Sequence, residues 1–169
     1  MPLSKIVQNS VDTPVAGTGP AFSAYQSTQQ TGVSQIVTTT VVLDGELFDT
    51  ASRFNNTGAT VGGIPAYSFM PNVAGYYLLT FGISVQTASA SAWALAILLG
   101  NGASIKQGAS GMGVAGVLYP QSSGSAVVYF NGTSDYVTLG TYASNGTATY
   151  SLVNNYSATY FTGCLIRAV

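Results

Sequence analysis

The sequence contains no histidine, a single cysteine and very few charged residues of either sign. Histidine is the side chain most often used as a general base and as a metal ligand, so its absence removes the usual basis for both. The lone Cys164 excludes a disulfide within the chain, and its apolar neighbours predict a buried, unreactive thiol. Hydrolytic triads, histidine-based metal centres and paired-cysteine redox sites are therefore excluded.

Charged residues make up 5% of the chain, against about 25% in an average soluble protein. Four scattered cations cannot follow a track of phosphates, so nucleic acid is not an expected partner. The most apolar stretch, residues 88–99, is shorter than the roughly 20 residues of a membrane-spanning helix, and we expect no membrane insertion.

The chain is 47% hydrophobic and lacks the charge that normally keeps a monomer soluble. We therefore expect much of its surface to be buried against copies of itself or against neighbouring proteins. A monomer of low charge is the alternative that the composition leaves open.

The stretch from residue 69 to residue 86 has the clearest local pattern. Apolar side chains recur at every second position from Tyr77 to Val85, which is typical of a β-strand with one buried face. Pro71 lacks the N–H that a sheet ladder requires, so it ends the preceding strand. This pattern predicts a long strand after a corner.

Further strands are predicted over residues 21–26, 36–43, 93–99, 111–118, 125–130, 136–142 and 160–167. Asn-Gly pairs at 101–102, 131–132 and 145–146 predict tight turns, because both residue types tolerate a positive φ. Residues 48–63 are irregular, and no window has helical spacing. The sequence thus predicts an antiparallel sandwich or barrel.

Large apolar and aromatic residues at strand spacing predict core or interface packing. The residues chosen for this role are Phe22, Tyr77, Phe81, Trp93, Leu95 and Phe161. Three tyrosines in the turn-rich region near and after residue 145 are instead candidates for exposed contacts: Tyr142, Tyr150 and Tyr156.

Three carboxylates lie close together in the sequence, at Asp44, Glu46 and Asp49. They could hold a Ca²⁺ ion, which takes oxygen ligands, or they could form a solvated loop with an Asp-Gly turn. Asp135 lies far along the chain and is expected to cap backbone N–H groups. No set of residues has the pattern of an active site, so we expect no enzyme and no cofactor.

Several stretches, taken in order, resemble the globular head domain of the C1q and tumour-necrosis-factor (TNF) superfamily. They are Pro-Ala-Phe-Ser-Ala-Tyr at 20–25, the region from 67 to 77 that ends in Gly-Tyr-Tyr, the hairpin at 124–139, and Tyr-Phe-Thr-Gly-Cys-Leu at 160–165. In the hairpin, Ser134 replaces the usual glycine. The resemblance implies a jelly-roll sandwich of about ten strands over residues 20–169, non-enzymatic and assembled as a homotrimer.

Residues 1–19 form a polar segment punctuated by proline and glycine, with Ile6, Val7 and Val11 among its few apolar side chains. It is either a disordered tail or an anchoring arm that becomes ordered on a partner. There is no collagen stalk, and the opening residues 1–6 resemble virion proteins of tailed bacteriophages. We therefore expect a structural protein at the virion surface, docked to other virion proteins through the arm.

Two roles remain open for such a protein. A trimeric knob of a tail fibre would contact a host receptor or surface glycan. A capsid decoration protein would instead stabilise the shell.

Overall fold

The computed structural model describes residues 19–86, 92–113, 119–144 and 149–169. In these ranges there is no helix, and therefore none long and apolar enough to cross a membrane. The strands are β1 Ala21–Tyr25, β2 Val33–Ser34, β3 Thr39–Thr40, β4 Gly45–Asp49, β5 Phe54–Asn55, β6 Ser68–Phe69, β7 Gly75–Gln86, β8 Trp93–Gly100, β9 Ala103–Gln107, β10 Gly111–Met112, β11 Gln121–Phe130, β12 Val137–Ser144, β13 Thr149–Leu152 and β14 Tyr160–Ala168.

The strands form an antiparallel sandwich of two sheets, as predicted. The first sheet has the order β2-β13-β7-β14-β1-β4, with β11 paired to β7. The second has the order β10-β8-β12-β6-β5, with β3 paired to β12 and β9 to β8. The strands β4 and β5 end the two sheets, and they are joined by the short connection 50–53, so both lie at one lateral edge of the sandwich.

The long strand β7 confirms the pattern seen in the sequence. Its inward residues from Tyr77 to Val85 are at most 1% exposed. The ring of Phe22 on β1 stacks on that of Phe69 at 4.2 Å between centroids and meets Phe161 edge-on at 4.9 Å. The core positions predicted for Phe22, Tyr77, Phe81 and Phe161 are confirmed, because all four side chains are fully buried.

Trp93 and Leu95 do not lie in the core, so of the two predicted roles, core or interface packing, only the interface role remains a prediction for them. On β8 the small residues Ala94 and Ala96 face the core and are fully buried, while Trp93 and Leu95 point outward and are half-buried. Trp93 packs there against Tyr142, with ring centroids 5.3 Å apart. The aromatic rings of the first sheet occupy the space between the sheets, so the facing strand carries alanines.

The predicted strand over 36–43 is largely interrupted, since only Thr39–Thr40 pairs as a regular strand. Ile36 has a φ of 57°, which is rare for a β-branched residue. The N–H groups of Ile36 and Val41 still donate to the carbonyls of Ala143 and Leu139 on β12. The segment therefore follows the second sheet without regular pairing.

The turn at 101–102 is confirmed. Asn101 and Gly102 have φ values of 48° and 82° and connect β8 to β9. Gly132 has a φ of 74°, as predicted for the second turn, and a Cβ there would lie 2.5 Å from the Ala74 nitrogen. The third turn, at 145–146, lies outside the described residues, as does most of the strand predicted over 111–118.

Candidate functional site

The outward side of the first sheet carries a patch of exposed apolar side chains, which we call the apolar face. In the antiparallel register Tyr76 on β7 lies opposite Tyr129 on β11, and Leu78 lies opposite both Val127 on β11 and Cys164 on β14. Directly opposed residues point to the same side of a sheet. The apolar face comprises these residues and Ile166: Tyr76, Leu78, Val127, Tyr129, Cys164 and Ile166.

The exposure of the apolar face is high for such side chains: 57% for Val127, 48% for Tyr129 and 42% for Ile166. The four strands β1, β7, β11 and β14 include a single charged residue, Arg167, which is exposed and lies opposite Tyr76 on the same side of the sheet. A contiguous exposed patch of this kind marks an interaction surface more often than isolated apolar side chains do.

Cys164 is exposed, so the predicted burial of its thiol is wrong. The alternation along β14 places Gly163 and Leu165 towards the core and Cys164 on the outward side. A Cβ on Gly163 would lie 2.6 Å from the Leu79 side chain, so the tight inward position belongs to the glycine. The apolar neighbours in the sequence did not reveal which side the thiol takes.

Two of the three clustered carboxylates hold backbone N–H groups. Asp44 Oδ1 accepts hydrogen bonds from the N–H groups of Ser27 at 2.7 Å and Thr28 at 3.2 Å. Partial burial acts to raise the pKa of Asp44, but the hydrogen bonds from Thr28 and Ser27 outweigh it and lower the pKa below the usual 3.8.

Asp49 closes the connection between β4 and β5. Its carboxylate accepts hydrogen bonds from the N–H groups of Ala51 at 3.1 Å, Arg53 at 2.6 Å and Phe54 at 2.7 Å. In the part of the chain that the structure describes, no group of three or more His, Cys, Asp or Glu residues could hold a metal ion. The calcium set proposed from Asp44, Glu46 and Asp49 is thus not assembled.

Asp135 has the capping role predicted for it. Its Oδ2 accepts from the N–H of Asn131 at 2.9 Å, and its Oδ1 accepts from the side-chain amide of Asn101 at 3.1 Å. These bonds join the turns at 101–102 and 131–132, so the carboxylate stabilises this end of the fold.

Glu46 lines a cavity of about 500 Å³ at the edge formed by β4 and β5, which we call the edge cavity. Burial raises the pKa of the Glu46 carboxyl, and the charge of Asp49 adds to the effect. Arg53 lines the same cavity, and its Nε is buried without a hydrogen-bond partner. Sequence reasoning missed Arg53, since a lone arginine in an irregular segment has no pattern of its own.

The three tyrosines expected at the surface have different positions. Tyr150 is 3% exposed, and its hydroxyl pairs with that of Thr141 at 3.1 Å, so that prediction is wrong. Tyr142 is half-buried against Trp93, whereas Tyr156 is 64% exposed, with its ring centroid 6.4 Å from that of Tyr25. The arm residues Ile6, Val7 and Val11 lie outside the described residues.

No protein-family model and no curated protein sequence matches this chain. Its fold is similar to solved structures at low sequence identity. Murine APRIL at pH 5.0 is 11% identical with a TM-score of 0.58, and the match covers 86% of this chain and 97% of that one. Eiger TNF from S. frugiperda is 9% identical with a TM-score of 0.57, covering 89% and 95% respectively. The chain therefore has the all-β jelly-roll fold of the TNF and C1q-like head domains.

Proposed function

We propose that this chain is a non-enzymatic structural protein of a phage particle, which forms a homotrimeric knob at the virion surface. The observation that carries the proposal is the apolar face of the first sheet. Its side chains are aromatic and aliphatic, and the only charged residue of its strands is Arg167, opposite Tyr76; such a face is better suited to contact with protein than with water. In a chain with 5% charged residues, burial of this face between copies accounts for solubility.

The number of copies comes from the resemblance to C1q and TNF head domains, which implies a trimer. Tyr76 and Tyr129 support burial of the face, because tyrosines are enriched in interface cores, where they bury large area at low entropic cost. The absence of catalysis is supported by the lack of histidine and by the carboxylates of Asp44, Asp49 and Asp135. All three are engaged with the chain's own backbone or turns.

The knob would act in adhesion, with residues 1–19 as the arm that docks it to other virion proteins and the jelly roll exposed to a host receptor or glycan. This role rests on the resemblance of residues 1–6 to phage virion proteins and on the fold. Copy number separates it from capsid decoration. A few trimers per particle by gel densitometry would fit a tail fibre, whereas tens to hundreds would favour capsid decoration over adhesion.

The trimer is tested by sedimentation velocity of the wild type and of Val127→Asp. The wild type is expected at about 52 kDa, three times the chain mass of 17.3 kDa. The variant is expected as a folded monomer, because a carboxylate would be desolvated in the interface. Val37→Asp is the matched control, since Val37 is 52% exposed but lies outside the apolar face. A wild-type monomer, or equal dissociation by both variants, would contradict the proposal.

The anchoring arm is tested by deleting residues 1–19. The shortened chain should remain a soluble trimer but no longer bind to particles that lack the protein, as measured by co-sedimentation. Continued binding would show that the docking surface lies in the jelly roll.

A further inference from the structure

The edge cavity is a second candidate binding site, separate from the apolar face. It lies between the end of β4, the connection 50–53, β5 and the loop that follows it. Its volume of about 500 Å³ is in the range of small-molecule sites, about 300–1,000 Å³. The cavity is therefore large enough to hold a ligand, and its lining decides which kind.

Two charged side chains in the lining lack partners. Within the described residues, nothing donates a hydrogen bond to the Glu46 carboxylate, and Arg53 makes no ion pair. The buried Nε of Arg53 is a donor without an acceptor, and a buried polar group left in this state destabilises the fold. A ligand in the cavity that supplies an acceptor to the Arg53 guanidinium and a donor to the Glu46 carboxylate would pair with both charges.

The third charged residue of the lining, Asp49, is already hydrogen-bonded to the backbone. Its oxygens accept three backbone N–H groups, so it fixes the shape of the cavity wall. A free anion would be repelled by Glu46 and Asp49, and a simple cation by Arg53. A neutral ligand with both donors and acceptors can pair with Glu46 and Arg53 and meets neither repulsion.

The rest of the lining is suited to many hydrogen bonds and one apolar side. Ser52 and Asn56 add a hydroxyl and an amide, neither of which is hydrogen-bonded by its side chain to another described residue. Val61 and Ile64 add an apolar wall. Ser52 also has a φ of 52°, an uncommon conformation for a residue other than glycine, and it is held there by the Asp49 hydrogen bonds on either side.

We propose that the edge cavity binds a neutral saccharide, whose hydroxyls donate to Glu46 and whose oxygens accept from Arg53. The C–H side of a sugar ring would lie on Val61 and Ile64, while Ser52 and Asn56 bind its remaining hydroxyls. The inference deepens the adhesive part of the proposed function and rests on it for its biological role, but the cavity is formed within one chain and does not depend on the trimer.

The test is a titration of the ¹⁵N-labelled full chain with galactose, glucose, mannose and N-acetylglucosamine, each in turn. At least one sugar should produce saturable shifts of the backbone amides of Ser52, Arg53 and Asn56. Glu46→Gln and Arg53→Gln should each weaken that binding by about tenfold or more, the equivalent of about 1.4 kcal/mol. Both side-chain changes leave the Asp49 hydrogen bonds to the backbone in place.

Lys106→Gln is the matched control, because Lys106 lies on the exposed strand β9 and does not line the cavity. This variant should bind the sugar with unchanged affinity. Glycine and acetate serve as zwitterionic and anionic probes. The proposal is overturned if no sugar moves the lining amides, if glycine or acetate binds there instead, or if both Gln variants keep full affinity. Binding retained in Val127→Asp separates this result from any failure of the trimer.

Discussion

The long strands β7 and β8 both carry large apolar residues at every second position, but these residues face the core on β7 and face outward on β8. On β7 the large residues Tyr77, Leu79 and Phe81 face the core, whereas on β8 the core-facing residues include Ala94 and Ala96. The space between two packed sheets is about 10 Å thick, so large rings on one side require small residues on the other. The inward side of a strand is thus set by the strand that faces it.

The outward sides of the same strands also differ. On the second sheet, Trp93 and Leu95 are half-buried and Ile97 is only 4% exposed. On the first sheet, Tyr76 and Leu78 are 42% and 39% exposed. The chain covers the outward apolar residues of β8 to a large extent, and it does not cover those of β7 in the same way. This difference is why we propose the first sheet as the assembly surface.

The largest expected effect comes from truncating the aromatic core that the first sheet supplies. Phe22→Ala should reduce the free energy of unfolding by about 3–5 kcal/mol, because it leaves a cavity among three stacked or edge-on rings. Phe48→Ala is the matched control, since Phe48 on β4 is 49% exposed and its loss should cost far less. Urea denaturation of both variants at one protein concentration measures the difference. Equal losses would show that the two sides of the sheet are not distinct.

The second effect tests the alanines of β8. Ala96→Leu should destabilise by about 1–3 kcal/mol, because the added carbons have no room against the aromatic core. The same change at Ala103, on the exposed strand β9, should remain within about 0.5 kcal/mol. Thermal unfolding of the two variants checks this. A neutral Ala96→Leu would mean that the space between the sheets is not filled.

The third effect concerns the hydroxyl group of the inward-facing Tyr77. The Tyr77 hydroxyl donates to the Val73 carbonyl at 2.9 Å, and burial raises the pKa of Tyr77 to about 12. Tyr77→Phe should cost about 1 kcal/mol at neutral pH.

The same tyrosine predicts a pH dependence. In the unfolded chain Tyr77 ionises near the ordinary tyrosine pKa of 10.0, whereas in the folded chain its pKa is about 12. The stability that depends on its neutral form is therefore present below pH 10 and is lost as pH rises towards 12. The loss between these pH values should be smaller in Tyr77→Phe than in the wild type, as measured by urea midpoints. An identical loss in both would assign the pH dependence to other tyrosines.

Much of the fold could be predicted because alternation and turn chemistry are local. The strand β7, the turn at Asn101 and the buried ring of Phe22 all follow from nearest neighbours in the sequence. Which side of the sheet Trp93 and Leu95 occupy could not be predicted, because it depends on the aromatic rings of a strand that is distant in the sequence. The same limit applies to Cys164, which is turned outward by the fit of Gly163 against Leu79.

The candidate sites were harder to predict than the fold. Asp44 and Asp49 were grouped by their closeness in the sequence, yet each is held by different backbone groups. The edge cavity depends on Arg53 and the loop that follows it, where no periodic pattern exists. The apolar face was hidden as well, because its residues come from three strands, and only the antiparallel register brings Leu78, Val127 and Cys164 together.

The smallest effect compares two outward aromatic pairs with nearly equal geometry. Trp93 and Tyr142 lie on the second sheet with centroids 5.3 Å apart, and Tyr76 and Tyr129 lie on the first at 5.5 Å. An aromatic pair contributes about 0.5–1.5 kcal/mol beyond its buried area. In the Val127→Asp background, expected to be monomeric, Tyr142→Leu and Tyr129→Leu should therefore cost similar, small amounts of unfolding free energy.

In the otherwise wild-type chain the two substitutions should differ. Tyr129→Leu removes a ring from the proposed interface, so its cost should grow with protein concentration, because association contributes to the stability of an oligomer by mass action. Tyr142→Leu should cost the same at every concentration, since its ring is covered by its own chain. Denaturation at two concentrations, tenfold or more apart, measures both. A concentration-dependent cost for Tyr142→Leu alone would move the interface to the second sheet and reverse the assignment of the two faces.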